Sequence, residues 1–477
     1  MTSAPTTIEF ASIQQEFVGA QLPDHRLHDR MLEIVEDLAR DPAQPFPQQV
    51  GSPARLEALY RFVNNPRLDP QTLLGGHFQQ TAQRAAQQGV VLVLHDTTRC
   101  EFAHAQAKEL GYVETGGAGF YAHCSLVVSA NDDRQALGLI GLETRHRPQR
   151  SCGQGAQARA CRKQKGKEMQ RWGRAVNLAS ERLADCEHVI HVGDRGADSY
   201  ELLHQLTATQ DSYVLRALAN RRAWEAAHPH VPWSLLRTLV RRAPVVLERE
   251  VTLSRRTMPK KWKGKRPSKA HGPRTMRTAT LHVAALSVAL ARPGKLRHSF
   301  PDALQTNVVY VFEPHPPAGA EPVEWLLYTS EPIGTPEEVA FIVDAYRSRW
   351  VIEEFFKALK TGCAYQKRQL ESKRGLLNAL ALFAPIAVRL LWFRAQAQRR
   401  ESVPARVVLT PPELEVLRRI ASTPLSRDPT AREALWAVAS LGGHLPANGE
   451  PGWLVLCRGF HILLVATKFF SSLSGVA

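Results

Sequence analysis

The run Gly89-Val-Val-Leu-Val-Leu94, followed by His95-Asp96-Thr97-Thr98, decides the fold. An unbroken stretch of Val and Leu with no helical spacing reads as a short strand buried on both faces. A second such run, His188-Val-Ile-His-Val192, closes on Gly193-Asp194-Arg195-Gly196. Each strand delivers an aspartate where it ends. In an α/β sheet, strand ends are where ligands and catalytic groups gather.

Working outward, residues 121–130 and 136–142 carry further strand-like runs. The spacing predicts a helix from about Glu168, a second over Asp198 to Leu206, and a strand at Ser212 to Arg216. That order describes an α/β core. From about 220 to 335 the texture changes to short β-patterned pieces around a basic tract. The tract holds Lys260, Lys261, Lys263, Lys265, Arg266, Lys269 and Arg274, with Pro and Gly between them. A long helix is predicted from Pro336 past Leu359, and another over Leu376 to Arg394. Residues 10–72 are helical by their three-and-four spacing through Leu27, Met31, Ile34, Val35 and Leu38. The expected division is 1–72, 73–395 with an insert at about 220–335, and a helical 396–477.

Composition narrows the function classes. The 477 residues suit several domains, and 44% apolar with 22% charged residues is a globular mix rather than a disordered one. Sixty-one Lys and Arg against forty-five Asp and Glu leave +16. Such an excess attracts polyanions, nucleic acid first, although a compositional preference for Arg would raise it too. The seven cysteines are scattered without a C-x-x-C, so neither a disulfide framework nor a zinc knuckle is expected. No basic-then-apolar leader opens the chain, and Arg458, His461 and Lys468 interrupt its most apolar stretch. The expectation is a cytoplasmic protein with no membrane partner.

On the predicted helix from Asp344 to Thr361, Tyr346, Arg349, Glu353 and Lys360 fall within about a 60° arc. An ordinary solvated face, with Glu353 paired to Lys357, would look the same. The two strand-end aspartates weigh against it. Asp96, Asp194 and Glu353 would bring together three carboxylates, which repel unless a cation sits among them. Hard oxygen donors suit Mg²⁺, with Mn²⁺ able to substitute. A two-metal site of this kind activates an attacking oxygen and stabilises the leaving oxygen of a phosphodiester.

The run Tyr346-Arg-Ser-Arg349-Trp-Val-Ile-Glu353-Glu-Phe-Phe-Lys-Ala-Leu-Lys360 matches a Y-x2-R-x3-E-x6-K signature. With Asp96-Thr-Thr and Gly193-Asp194-Arg195-Gly-Ala-Asp198 it resembles the DDE-type insertion-sequence transposases of the insertion-sequence-four family. Asp24-His-Arg26, Tyr60-Arg-Phe-Val-Asn-Asn-Pro66 and Trp325-Leu-Leu-Tyr-Thr-Ser-Glu-Pro332 extend the likeness over most of residues 20–395. The resemblance implies an RNase H-like mixed-sheet core with a β-rich insert, flanked by a helical DNA-end-binding domain and a C-terminal dimerisation domain. It implies a cut-and-paste DNA transposase using Mg²⁺, a homodimer on paired transposon ends in double-stranded DNA, and a hairpin intermediate.

Asp96, Asp194 and Glu353 match the family's metal-binding triad. Trp325 falls where the family stacks a flipped base, with Tyr346 and Arg349 bracing the displaced nucleotide. Arg216 matches a further DNA-contacting arginine, and Arg26, Arg30, Tyr60, Arg61 and Asn65 are candidates for reading the terminal repeat. The tract with Lys260, Lys261, Lys263 and Lys265 would clamp backbone phosphates. A core Trp, a sheet-edge Arg216, a solvated Arg61 and a solvated loop are the plainer readings of these positions. Asp198 reads as a helix N-cap or first-turn residue. From Phe460 the apolar tail leaves the family pattern, so a decayed DNA-binding regulator stays open beside an RNase H-like structure-selective nuclease.

Overall fold

The structure is a computed structural model that describes residues 12–103, 107–113, 117–131, 133–147, 156–228, 231–253, 274–296, 300–399 and 403–473, without the side chains of 107–108, 156–168 and 471–473. The chain forms two compact units, one from Met1–Val189 with Trp350–Ala477 and the other from Ile190–Arg349.

The first unit opens with helices α1 (Gln15–Val18), α2 (His25–Arg40), α3 (Phe46–Val50), α4 (Pro53–Val63) and α5 (Pro70–Ala86). Their starts follow from local chemistry. Asp24, Ser52 and Asp69 cap α2, α4 and α5 through side-chain oxygens, and proline opens α4 and α5. Strand β1 (Val90–Glu101) follows, then α6 (Ala107–Leu110), β2 (Gly119–Ser129), β3 (Ala136–Arg145) and α7 (Ala156–Arg182). The three strands form an antiparallel meander, β1 on β2 on β3. Helix α7 starts well before the expected Glu168.

A buried polar triad ties the first helices to this meander. Glu16 of α1 accepts two hydrogen bonds from Arg84 of α5, at 2.7 and 3.0 Å, and one from His77 Nδ1 at 2.5 Å. His77 Nε2 accepts the backbone N–H of Leu139 on β3 at 2.9 Å. That bond places the imidazole's single proton on Nδ1, so His77 is neutral; burial lowers its pKa accordingly. Burial alone would raise Glu16, but the bonds from His77 and Arg84 outweigh it and hold the carboxyl at about 2.

The second unit holds β4 (His188–Gly193, its pairing residues from 190), α8 (Tyr200–Thr207), β5 (Ser212–Arg216), β6 (Arg222–Glu225), β7 (Ser234–Leu235), α9 (Leu236–Val240), β8 (Val245–Leu253), β9 (Arg277–Ala291), β10 (Ala303–Phe312), β11 (Glu324–Thr329) and α10 (Pro336–Ser348). Its sheet runs β4-β5-β11-β10-β9-β6-β7, with β8 also on β9. Only β4 and β5 are parallel; the other pairs are antiparallel. The strands of the expected insert therefore widen the sheet of β4 and β5 from within. Val308, Val309, Val311, Leu326 and Leu327 make this part of the sheet a buried layer.

The chain re-enters the first unit with α11 (Trp350–Lys357), a π-helical turn at Ala358–Gly362, α12 (Lys373–Gln398), α13 (Pro411–Ile420), α14 (Ala431–Leu441) and α15 (Trp453–Leu473). Thr410 with Glu413 and Thr430 with Glu433 form capping boxes at α13 and α14. Helices α14 and α15 cross at Gly442 and Gly459. A Cβ on Gly459 would lie 1.7 Å from the Val438 carbonyl oxygen, and one on Gly442 1.9 Å from that of Val455. From Phe460 to Leu473 the apolar tail continues α15 without a break.

Among the described residues two helices are long and apolar enough to span a membrane by length and composition, despite Arg458 and Lys468: Lys373–Gln398 and Trp453–Phe470. In the first, 78% of the apolar window is buried inside the protein, the mark of a core helix. In the second the share is 22%, and Leu454, Ile462, Val465 and Phe469 are exposed.

Candidate active site

Asp96 lies inside β1, whereas the sequence had it just past the strand. It pairs with Cys124, and β1 runs on to Glu101. The polar Thr97-Thr98-Arg99 does not end the strand because threonine suits a pleated surface and β2 completes its ladder. Asp96 Oδ1 accepts the backbone N–H of Thr97 at 2.7 Å. The Thr97 hydroxyl lies 2.8 Å from Nδ1 of His123, whose ring stands edge-on to Trp172 at 4.7 Å. Burial, then Arg171 and Arg174, push the His123 imidazole down to about 3, so it stays neutral. A neutral, packed layer thus backs Asp96. Its members come from β2 and α7, and no sequence spacing announced it.

Helix α11, which carries Glu353, packs on β1. Lys360 sits in the π-helical turn, half-buried. Burial lowers its ammonium below the ordinary range, opposed by Cys100 and reinforced by Arg99. Its charge also acts on the thiol of Cys124, the strand partner of Asp96. Asp96, Glu353 and Lys360 therefore belong to neighbouring elements of one unit.

The second unit holds Asp194, Arg216, Trp325, Tyr346 and Arg349. Asp194 follows β4, and its Oδ1 accepts the N–H of Gly196 at 2.7 Å, capping the 3-10 turn Arg195–Ala197. Asp198 is not a helix cap: Ser199 takes that place on α8, accepting Leu202 N–H at 3.0 Å. The Asp198 carboxylate is closed off instead, accepting the N–H groups of Leu218 and Ala219 at 2.6 and 2.7 Å and pairing with Arg221 at 2.5 Å. The loop after β5 returns to it, a long-range partner that local propensity does not reveal.

Trp325 of β11 is partly exposed, its ring 5.3 Å from that of Tyr346 at 65°. The Arg216 guanidinium lies 5.9 Å from the Tyr346 ring centre and donates to the Glu324 carbonyl at 3.0 Å. The Glu324 carboxylate takes Arg237 at 2.6 Å, Arg241 at 3.6 Å and the Tyr310 hydroxyl at 3.0 Å. Partial burial, and next the nearby Arg216, lower the guanidinium of Arg195. Two guanidinium groups, Arg237 and Arg241, share the Glu324 carboxylate, and Arg216 lies by the Tyr346 ring; guanidinium groups and aromatic rings together suit a nucleotide base and its phosphates. Arg195, Arg237, Arg241 and Glu324 were missed from sequence; the Arg241-Arg242 pair was the available signal.

The single stripe expected from Tyr346 to Lys360 does not form on one helix. Helix α10 ends at Ser348, the Arg349 N–H turns back to the Tyr346 carbonyl at 3.1 Å, and α11 begins at Trp350. The boundary between compact units falls at this step, and the π turn resets the spacing before Lys360. Tyr346 is buried, at 5% exposure. Among the described residues no three His, Cys, Asp or Glu side chains form a group able to hold a metal ion.

In the N-terminal helices, Arg61 is exposed and paired with Glu57 at 2.5 Å, while Arg30 pairs with Glu33 at 2.8 Å. Exposed pairs of this kind contribute little to stability and exchange readily for phosphates. The Arg26 N–H is spent capping on Asp24 at 2.9 Å. Tyr60 packs edge-on to Phe46 at 6.1 Å, and the Asn65 side chain accepts the N–H of Arg67 at 2.9 Å. Lys260, Lys261, Lys263 and Lys265 lie outside the described residues. The strands that bracket them are paired, Leu253 opposite Arg277.

Two family models match the chain. Residues 11–68 match the one described as Transposase DNA-binding, and residues 157–386 the one described as Transposase DDE domain. Together they span more than half of the 477 residues. The second match contains Asp194 and Glu353 and begins after Asp96. The mixed α/β architecture, with helices before and after it, agrees with the RNase H-like fold of such a domain. The chain thus carries a transposase DNA-binding domain followed by a DDE transposase domain, the domain pair of a DNA transposase.

Proposed function

We propose that the protein is a cut-and-paste transposase of the insertion-sequence-four family, acting as a homodimer on paired transposon ends. Residues 1–72 bind the terminal inverted repeat, 73–395 cut and join, and 396–477 dimerise. Asp96, Asp194 and Glu353 are the metal-binding carboxylates. Their oxygens are hard donors that suit Mg²⁺, or Mn²⁺ in its place. When bound, the divalent ions supply an activated attacking oxygen and stabilise the leaving oxygen.

The observation that carries this reading is the cluster around Trp325. Its indole is partly exposed and stands edge-on to Tyr346, whose ring lies 5.9 Å from the Arg216 guanidinium; Arg216 acts in turn on Arg195, and Arg237 and Arg241 pair with the carboxylate of Glu324, the residue before Trp325. Closing a hairpin at a transposon end strains the duplex; a base turned out onto an indole relieves that strain. Trp325 receives the base, Arg216 and Arg349 hold its flanking phosphates, and Lys360 holds phosphate near Asp96. After a first nick, the freed 3′-hydroxyl attacks the opposite strand, water reopens the hairpin, and the 3′ ends attack target DNA. Twofold symmetry supplies an equivalent site for each end.

Supercoiled DNA carrying the element's own ends tests the reading. Glu353→Ala should bind the ends like the wild type and lose cleavage by at least about 10³-fold, as loss of a metal ligand requires. Cleavage at the wild-type rate by that variant would remove Glu353 from the triad.

A further inference from the structure

Glu354, the neighbour of Glu353, is the hub of a polar cluster that the reaction described above does not use. All of its members belong to one compact unit. One carboxylate oxygen, Oε2, accepts from Trp453 Nε1 at 3.0 Å and from Arg394 at 2.5 Å; Oε1 takes Lys357 Nζ at 2.6 Å. The Arg394 guanidinium lies 5.0 Å from the centre of the Trp453 ring. Trp453 is 7% exposed and the Glu354 side chain 19%. Three helices, α11, α12 and α15, therefore meet on one carboxylate.

A second contact lies a little further along. Cys457, one turn beyond Trp453 on α15, directs its thiol at the carbonyl of Gly362, 3.6 Å away, where the π turn ends. Gly362 itself is closely covered: a Cβ there would meet Leu390 at 3.1 Å, Cys457 Sγ at 3.7 Å and the Trp453 ring at 3.8 Å. The C-terminal helix thus grips the segment 354–362 at both ends, and Lys360 lies between the grips.

This segment needs outside support. Helix α11 has only eight residues, follows the break at Arg349 and gives way to a π turn, so its own ladder holds it weakly. Successive residues of an α-helix project about 100° apart, so fixing the side chain at 354 on one flank sets the direction of the side chain at 353.

We propose that Glu354 is a positioning residue: with Trp453 it lets the C-terminal helix hold Glu353 and Lys360 in place for strand cleavage. The proposal rests on the role given to Glu353, and the controls separate the two. Trp453→Phe removes one N–H and keeps the packing. Glu354→Ala removes the hub, and Glu354→Gln restores an acceptor oxygen for Trp453.

Full-length protein on end DNA is assayed for single-turnover nicking in Mg²⁺, with Mn²⁺ affinity of the protein–DNA complex measured by electron paramagnetic resonance. Residues that orient a metal ligand typically account for 10–100-fold, so nicking should slow about 10-fold in Trp453→Phe and about 100-fold in Glu354→Ala, with Glu354→Gln between them. Mn²⁺ affinity should weaken by about 10-fold in Glu354→Ala while end binding in a gel shift is unchanged. The double variant should be no slower than Glu354→Ala alone, because both remove one linkage. Wild-type nicking and Mn²⁺ affinity in Trp453→Phe overturn the proposal even if Glu354→Ala fails to fold. Should Glu353→Gln nick like the wild type, the role of Glu353 falls first and that of Glu354 with it.

Discussion

Trp325 meets Tyr346 edge to face, an arrangement that stabilises aromatic pairs by about 0.5–1.5 kcal/mol beyond the area they bury. The indole is held in one orientation while part of it stays open to solvent. Trp325→Ala should therefore nick at the wild-type rate but accumulate several-fold fewer hairpins, base–aromatic stacking amounting to about 1–3 kcal/mol. A gel resolving nicked from hairpin ends reads both, and an unchanged hairpin yield would withdraw the base-flipping role. Asp198 shows a different logic at the same scale. Its carboxylate and Arg221 are buried together, the acid at 0% side-chain exposure. Asp198→Ala strands that guanidinium and should cost about 3–5 kcal/mol in chemical denaturation, without touching the carboxylates proposed to bind metal. Carboxylates, arginines and an indole at signature spacing are what single out the proposed site residues in the sequence. The role of Asp198 could not be read there, because its partners Leu218, Ala219 and Arg221 come from a distant loop.

Among the elements, the buried triad of Glu16, His77 and Arg84 joins α1, α5 and β3. A folded-state carboxyl held at about 2, against an ordinary 4.5, contributes stability that is complete above about pH 5 and lost as the pH falls towards 2. His77, kept neutral, adds a loss that starts below its ordinary 6.5. Denaturation midpoints should fall steadily from pH 7 to pH 3, and Glu16→Gln should flatten the acid half of that curve. If the wild type and Glu16→Gln lose stability in parallel, the carboxylate does not carry the effect. Strands were easier to foresee than helix ends. The strand Ser212–Arg216 lies where the sequence predicts it. The break at Arg349 and the π turn before Lys360 were not legible, since no proline or glycine marks the first and tertiary packing imposes the second.

For the whole molecule, the net charge is +16. Each phosphate neutralised releases counterions, so affinity for DNA should drop steeply with salt. Replacing Lys260, Lys261, Lys263 and Lys265 with Gln should reduce the slope of log affinity against log salt by about 3–4 if each meets a phosphate. A filter-binding series on end DNA and on unrelated DNA measures it; an unchanged slope would free the tract from any role in backbone contact. The charge pointed to the partner, which the match to a transposase DNA-binding domain supports. The two compact units were not visible in the sequence, because the chain leaves one unit at Val189 and returns to it at Trp350.

The pairing of Leu253 with Arg277 has an evolutionary consequence. The ends of the basic tract are joined by the β8–β9 ladder, so the fold constrains where the tract starts and stops but not how long it is. Doubling such a connection adds only about 0.6 kcal/mol of closure entropy. Lysines can be gained, lost or re-spaced there at little risk to folding, so with the backbone contact proposed for the tract, grip on DNA becomes a dial that selection can turn independently of the proposed cutting residues. Mobile elements under pressure to move more often, or less, have in this hairpin a place to adjust without rebuilding the enzyme.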